Sequence, residues 1–332
     1  MTFRPVGFRG ARSLVVAAAV AVAMLGASSP VGARSTTAST TTASTTGNDI
    51  SYPQCGRTFP SGQAFGIIGV NGGLANRLNP CLGEYNGGLS TSELFWAWGS
   101  TGSPKLPKAA LYVNTADPGT GVADWPKNNT DLNGVSEAPG THLNPDPYGS
   151  CNGLDSQACA WQYGWDRAIQ DMLGLIATPT GGGFSNHPLD YSWWLDVETG
   201  NTWESGTSGL ANNVADLQGM VDALKSTGEK ATDSTNSVVP LGGVAIVGIY
   251  STSSQWKAIT GGSTADPFPG AAPFPAGTAS DTGLTSLPDW IPGARTLSGA
   301  QANCSLTGFT TTAKPTITQW FGKPYDGDVA CP

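Results

Sequence analysis

Residues Tyr191 to Glu198 read Y-S-W-W-L-D-V-E, an unbroken apolar run that closes on two carboxylates. Without polar alternation, such a run suits a strand buried on both faces, as in a parallel sheet covered by helices. Side chains two apart on a strand share a face, roughly 6.5–7 Å from each other along it. Asp196 and Glu198 therefore project together from the strand's C-terminal end. In a (β/α) barrel that end is where catalytic groups sit. Two carboxylates there are costly to bury unless they bind or react. Glycoside hydrolysis needs one carboxylic acid as proton donor and a second carboxylate beside it. The plainer alternative is a pair of solvated residues at a strand end.

Working outward, the segments on either side repeat a strand-then-helix order. Asp49-Ile50-Ser51 and Phe65 to Val70 read as the first two strands, and Ser90 to Trp98 as a helix capped by Ser90 or Ser92. Lys108 to Asn114 is the third strand and Ala158 to Ala177 the helix after it, with the Tyr191 strand fourth. Leu210, Val214, Leu217, Val221 and Leu224 recur at spacings of three and four, marking a helix over Gly209 to Thr227. Val244 to Tyr250 is the fifth strand, with a helix over Ser253 to Ile259. Asp289-Trp290-Ile291 and Thr316 to Phe321 read as strands with little helical pattern around them. The whole is an α/β, TIM-like (β/α) barrel with its last helices reduced. Between the third strand and its helix, Thr115 to Asp155 is an irregular excursion rich in Pro, Gly, Asn and Asp. A loop that long in a compact domain is usually functional or disordered, and its place after a barrel strand puts it on the ligand-binding rim.

The N-terminus reads as a targeting segment. Arg4, Arg9 and Arg12 precede the apolar stretch Leu14 to Ala27, and Val31-Gly32-Ala33 offers small residues for cleavage. Residues 1–33 are thus expected to be a signal peptide and the protein to be secreted or cell-wall associated. Residues 34–47, mostly Ser and Thr, cannot bury apolar surface and are expected to be a disordered linker, O-glycosylated or bare. Residues 48–332 then form one barrel domain. The net charge of −8 becomes near −11 once Arg4, Arg9 and Arg12 are removed, which speaks against nucleic acid as a partner. No stretch outside the N-terminal segment is long enough to span a membrane, and a monomer is expected.

The cysteines are Cys55, Cys81, Cys151, Cys159, Cys304 and Cys331. An even count in an exported chain implies disulfides. Chain order suggests Cys55–Cys81, Cys151–Cys159 and Cys304–Cys331, although six cysteines allow about fifteen pairings. No CxxC spacing occurs, and the two histidines, His142 and His187, are too few for a Cys/His zinc site; no metal or other cofactor is expected. A Ser/His/Asp hydrolase would need a G-x-S-x-G elbow, which is absent, as are Walker and dinucleotide fingerprints.

In order and spacing these segments resemble the glycoside hydrolase family 25 lysozymes, as a divergent secreted relative of actinobacterial type. Asn48-Asp49-Ile50-Ser51-Tyr52-Pro53-Gln54 resembles that family's opening D-V-S-x-x-Q, and Phe65-Gly66-Ile67-Ile68 its second strand. Leu195-Asp196-Val197-Glu198 is similar to its D-x-E strand, and Gly248-Ile249-Tyr250-Ser251-Thr252 to its G-I-Y-T/S strand. Asp289-Trp290-Ile291 and Gln319-Trp320 with Asp326-Gly327-Asp328 resemble its last strands. The resemblance implies a (β/α)5β3 barrel that cleaves β-1,4 bonds of peptidoglycan, with a polysaccharide as its partner. It gives Glu198 the role of proton donor, Asp196 that of stabilising positive charge on the sugar or on its acetamido-derived intermediate, and Asp49 that of orienting substrate. A further aspartate belongs to the pattern, and Asp326 and Asp328 both answer to it. Asn114, Trp194, Tyr250 and Trp320, near strand ends, join them as candidate substrate-binding residues, Trp194 because it shares the parity of Asp196 and Glu198.

The chain also departs from that pattern. Its third strand reads Leu111-Tyr112-Val113-Asn114-Thr115 without the family's aromatic–His signature, the excursion is an insertion, and Gln319-Trp320-Phe321 replaces W-Q-Y. Three functions stay open at this point: a cell-wall muramidase, a glycosidase for another envelope polysaccharide, and a glycan-binding barrel without turnover.

Overall fold

A computed structural model of the chain describes residues 46–103, 106–140, 145–262 and 283–332. The expected signal peptide and residues 34–45 of the expected linker lie outside the described residues.

Strand β1 (Thr46–Ile50) begins two residues ahead of the boundary drawn from composition. It is followed by β2 (Phe65–Gly69), α1 (Glu93–Trp98), β3 (Ala109–Asn114), α2 (Gln157–Ile176) and β4 (Ser192–Asp196). Then come α3 (Gly206–Lys225), a two-stranded hairpin of β5 (Lys230–Thr232) and β6 (Val238–Pro240), and β7 (Val247–Tyr250). The chain ends with α4 (Ser253–Thr260), β8 (Asp289–Ala294), α5 (Leu297–Asn303), β9 (Ile317–Trp320) and β10 (Asp326–Ala330). Eight strands close into a barrel in the order β1-β10-β9-β8-β7-β4-β3-β2. Neighbours are parallel all the way from β1 to β9, and β10 closes the ring antiparallel to both of its neighbours. Because β10 runs backwards, its first residue lies at the rim formed by the C-terminal ends of the other seven strands.

The local chemistry accounts for the elements. Ser92 caps α1 by accepting the amide of Phe95, and Ser156 and Thr252 cap α2 and α4 in the same way. In β4 every residue is buried: Trp193 and Leu195 face the helix layer, while Trp194 faces the barrel interior with Phe65, Ile67, Ala110, Trp290 and Ile317. A β-carbon on Gly248 of β7 would sit 2.4 Å from the Trp194 ring, so the interior has room for that indole only because position 248 lacks a side chain. The core helices α2 and α3 cross at two further glycines. A β-carbon on Gly164 or on Gly219 would lie 1.9 Å from the carbonyl oxygen of Asp216 or Trp161 respectively, so the two backbones touch.

Two elements lack the apolar periodicity used above. Helix α5 is short and polar apart from Leu297 and the alanines, and the β5–β6 hairpin is built on a turn in which Asp233 accepts the amides of Thr235 and Ser237. The disulfides pair as Cys55–Cys81, Cys151–Cys159 and Cys304–Cys331. Among the described residues no helix is long and apolar enough to cross a membrane.

Candidate active site

Four carboxylates meet at the C-terminal rim of the barrel. Asp49 from the end of β1, Asp196 from the end of β4, Glu198 two residues beyond it, and Asp326 from the start of β10 line one open cleft of about 400 Å³. Tyr112, Tyr250, Trp290 and Gln319 complete its wall. Among the described residues none that lines it is cationic.

The backbone around Asp196 and Glu198 is held from three sides. Thr115 donates its hydroxyl to the Asp196 carbonyl at 2.7 Å, Ser251 donates to the Val197 carbonyl at 2.7 Å, and the Trp203 indole donates to the Glu198 carbonyl at 2.9 Å. The two side chains are thereby fixed on the cleft side without a hydrogen bond that would occupy their carboxyl groups. Asp196 is buried, its Oδ1 accepting no hydrogen bond, while Glu198 is half-buried and faces the opening. On the other side of the cleft Gln319 donates to Asp49 Oδ2 at 2.9 Å and accepts from the Tyr250 hydroxyl at 3.1 Å. Beneath them Trp290 makes edge contacts with Tyr112, Trp194 and Tyr250 and donates its indole N–H to Asp328 at 3.0 Å.

Crowding of acids in a poorly solvated place shifts their protonation. Burial, then the charges of Glu198 and Asp49, hold Asp196 well above the usual carboxylate range. Asp49 is pushed up to about 6 by burial and by Asp326. Asp328 is raised as well, by burial and by Asp49. The charge of Glu198 beside Asp196 is thus one cause of that rise, second to burial.

The structure separates the two aspartates that the sequence left paired. Asp326 opposes Asp49 across the β1–β10 ladder and lines the cleft; Asp328, one layer deeper and fully buried, supports Asp49 and Trp290 from below. Two proposed sugar-stacking residues need correction. Trp194 has the expected parity but is 0% exposed, because in a closed barrel that parity points into the packed interior below the cleft. Trp320 is on the opposite face of β9 from Gln319 and packs outward beside Ala294, Ala300 and the Cys304–Cys331 disulfide. Asn114 is the register partner of Asp196, and its backbone is bonded on both sides by the Asn71 side chain, but it does not line the cleft. Tyr250 does. The residues that sequence reasoning passed over are Tyr112, Trp290 and Gln319. The available signal for Gln319 was an amide side chain between Thr318 and Trp320 in a short strand, and for Tyr112 its shared parity with Asn114.

The excursion also lies elsewhere than expected. It leaves the rim at Thr115, and Asp117 binds the Thr202 carbonyl through its amide. Trp125 then stacks on Tyr163 of α2 at 5.6 Å, Asp124 pairs with Arg167 of α2 at 3.2 Å, and Asn129 donates to Gln162 of α2. None of its described residues lines the cleft.

Two solved structures resemble this one. The bacterial lysozyme from Streptomyces coelicolor is 13% identical over 88% of this chain and 94% of its own, with a TM-score of 0.40. The muramidase from Acremonium alcalophilum is 14% identical over 85% of this chain and 91% of its own, with a TM-score of 0.38. No family model matches the chain, and no curated protein matches its sequence.

Proposed function

We propose that this chain is a secreted, divergent glycoside hydrolase of the family 25 lysozyme type that cleaves cell-wall glycan, with Glu198 as proton donor. The observation that carries the reading is the convergence of Asp49, Asp196, Glu198 and Asp326, from three strands far apart in sequence, in one open cleft at the catalytic end of a barrel. Those positions are the ones on which the family motifs fall. Among the described residues, barrel strands β2, β3, β4, β7 and β8 are each followed by an α-helix, which supports a (β/α) barrel with reduced helices. Paired cysteines suit an extracellular protein.

Departure of a sugar from a glycosidic oxygen leaves positive charge on the ring. A cleft lined by four carboxyl groups and no cation favours that charge, which is the electrostatic contribution the barrel makes. Glu198, the more exposed of the two carboxyls and the one facing the opening, is the donor of a proton to the leaving oxygen. Asp196 then carries negative charge beneath the developing cation. Asp49, aimed by Gln319, and the Tyr250 hydroxyl that shares that amide position the sugar.

Release of reducing sugar from purified peptidoglycan, measured beside other envelope glycans, tests this. Glu198→Gln is expected to fold as wild type by circular dichroism and to lose at least about 100-fold in kcat, the scale of a missing general acid. Wild-type protein that binds glycan without releasing sugar from any of them would instead make the chain a binding barrel.

A further inference from the structure

A second acidic group stands apart from the cleft, where the excursion after β3 meets α2 and the segment leading into β5. Glu137 and Asn129 bond through their backbones, drawing residues 129–137 into a tight loop, and Asp131 Oδ1 accepts the amides of Asn133 and Val135 at 2.9 and 2.8 Å. Asn133 donates its side chain to the Lys230 carbonyl at 3.2 Å, which brings Glu229 alongside. One carboxylate oxygen from each of Asp131, Glu137 and Glu229 then lies within 4.8 Å of the others. All three side chains are buried, at 5%, 0% and 4% exposure.

Glu137 is the residue that demands an explanation. Its Oε2 receives one donor, the Gln162 amide at 3.3 Å, and its Oε1 accepts no hydrogen bond. The charges that bear on it, those of Asp131, Glu229 and Asp166, are all negative. A carboxylate that no water reaches, with an oxygen left over and only like charges around it, is strongly destabilising unless a cation or a proton joins the group.

We propose that Asp131, Glu137 and Glu229 form a calcium-binding site that fastens the excursion to α2 and to the strand β5. An all-oxygen, carboxylate donor set selects a hard divalent cation. A single calcium ion with bonds of about 2.4 Å spans oxygens about 4.8 Å apart, whereas magnesium requires a tighter octahedral shell near 2.1 Å and gives up its water reluctantly. Gln162 and Asn129, which bond each other at 3.2 Å, form the polar support behind the site. The inference does not depend on the reading of the cleft.

The experiment strips the full chain with EDTA, titrates it with calcium chloride by calorimetry, and follows Tm with and without the ion. Wild type is expected to bind one calcium and to rise by several degrees in Tm. Glu137→Gln, or Asp131→Asn where the first does not fold, is expected to weaken binding about tenfold or more. Glu198→Gln, which alters only the cleft, should bind calcium as wild type does. Absence of heat and of any Tm shift in wild type overturns the site and leaves a shared proton as what joins the carboxyls. Binding that survives Glu137→Gln but is lost in Glu198→Gln overturns it too, by placing the ion in the cleft.

Discussion

At Asp49 a single side chain serves two opposed demands. Its carboxylate is wanted in the cleft, yet burial and Asp326 lift it from 3.8 to about 6. A carboxyl raised in the folded state costs stability when ionised: the cost is absent below about pH 4, where folded and unfolded chains are both protonated, and complete above about pH 6. Asp49→Asn keeps an oxygen for Gln319 and removes the charge. It is expected to raise Tm by a few degrees at pH 7, to show no gain at pH 4, and to lower turnover about tenfold or more. A gain in Tm that is the same at both values would mean that the carboxylate is not the strained group. The sequence named Asp49, Asp196 and Glu198 because i, i+2 parity and motif order are local properties. It misplaced Trp320 because the adjacent Gln319 had the inward face, and it misplaced Trp194 because parity gives the face of a strand and not the height within a barrel.

The crossing of α2 and α3 shows what apolar periodicity leaves out. The Leu210 to Leu224 pattern identified a helix, but the approach of the two axes is set by Gly164 and Gly219, where each backbone meets the other helix directly. Gly219→Ala forces the new methyl against the Trp161 carbonyl, and the helices can relieve it only by parting and loosening Trp161, Trp165 and Leu217 in the core. A loss of about 3 kcal/mol or more is expected from urea denaturation, the upper range for overpacking. Gly121→Ala, whose β-carbon meets nothing within 4 Å, should stay within about 0.5 kcal/mol of wild type. Equal effects at the two sites would refute the close approach. Chain order suggested all three disulfide pairs, whose partners lie 26, 8 and 27 residues apart, intervals over which proximity in sequence favours proximity in space. The third, Cys304–Cys331, ties the end of α5 to the residue after β10 and so braces the strand that completes the ring.

For the molecule as a whole, buried acid is the dominant electrostatic theme. Besides Asp49, burial raises Asp289 to about 6, burial and Glu204 raise Asp117 to about 7, and burial raises Glu93 to about 8. Between pH 4 and pH 8 the folded chain therefore holds protons that the unfolded chain has released, and stability must fall as pH rises through that window. In metal-free buffer Tm is expected to be highest near pH 4–5 and to decline by several degrees toward pH 8. A Tm that climbs over this range would show that these carboxyls are solvated or paired with cations.

The sequence by itself determined the barrel, the C-terminal end of its fourth strand and the acidic residues gathered there, since periodicity, caps and spacing act within a few residues. Tertiary structure alone decided which aspartate of β10 lines the cleft, that the described residues of the excursion pack on α2 and not in the cleft, and that Asp131 and Glu137 meet Glu229 across about a hundred residues of chain. The reason is closure. An antiparallel last strand sets Asp326 at the rim and Asp328 below it, and no local pattern records the height at which a ring of strands comes into register.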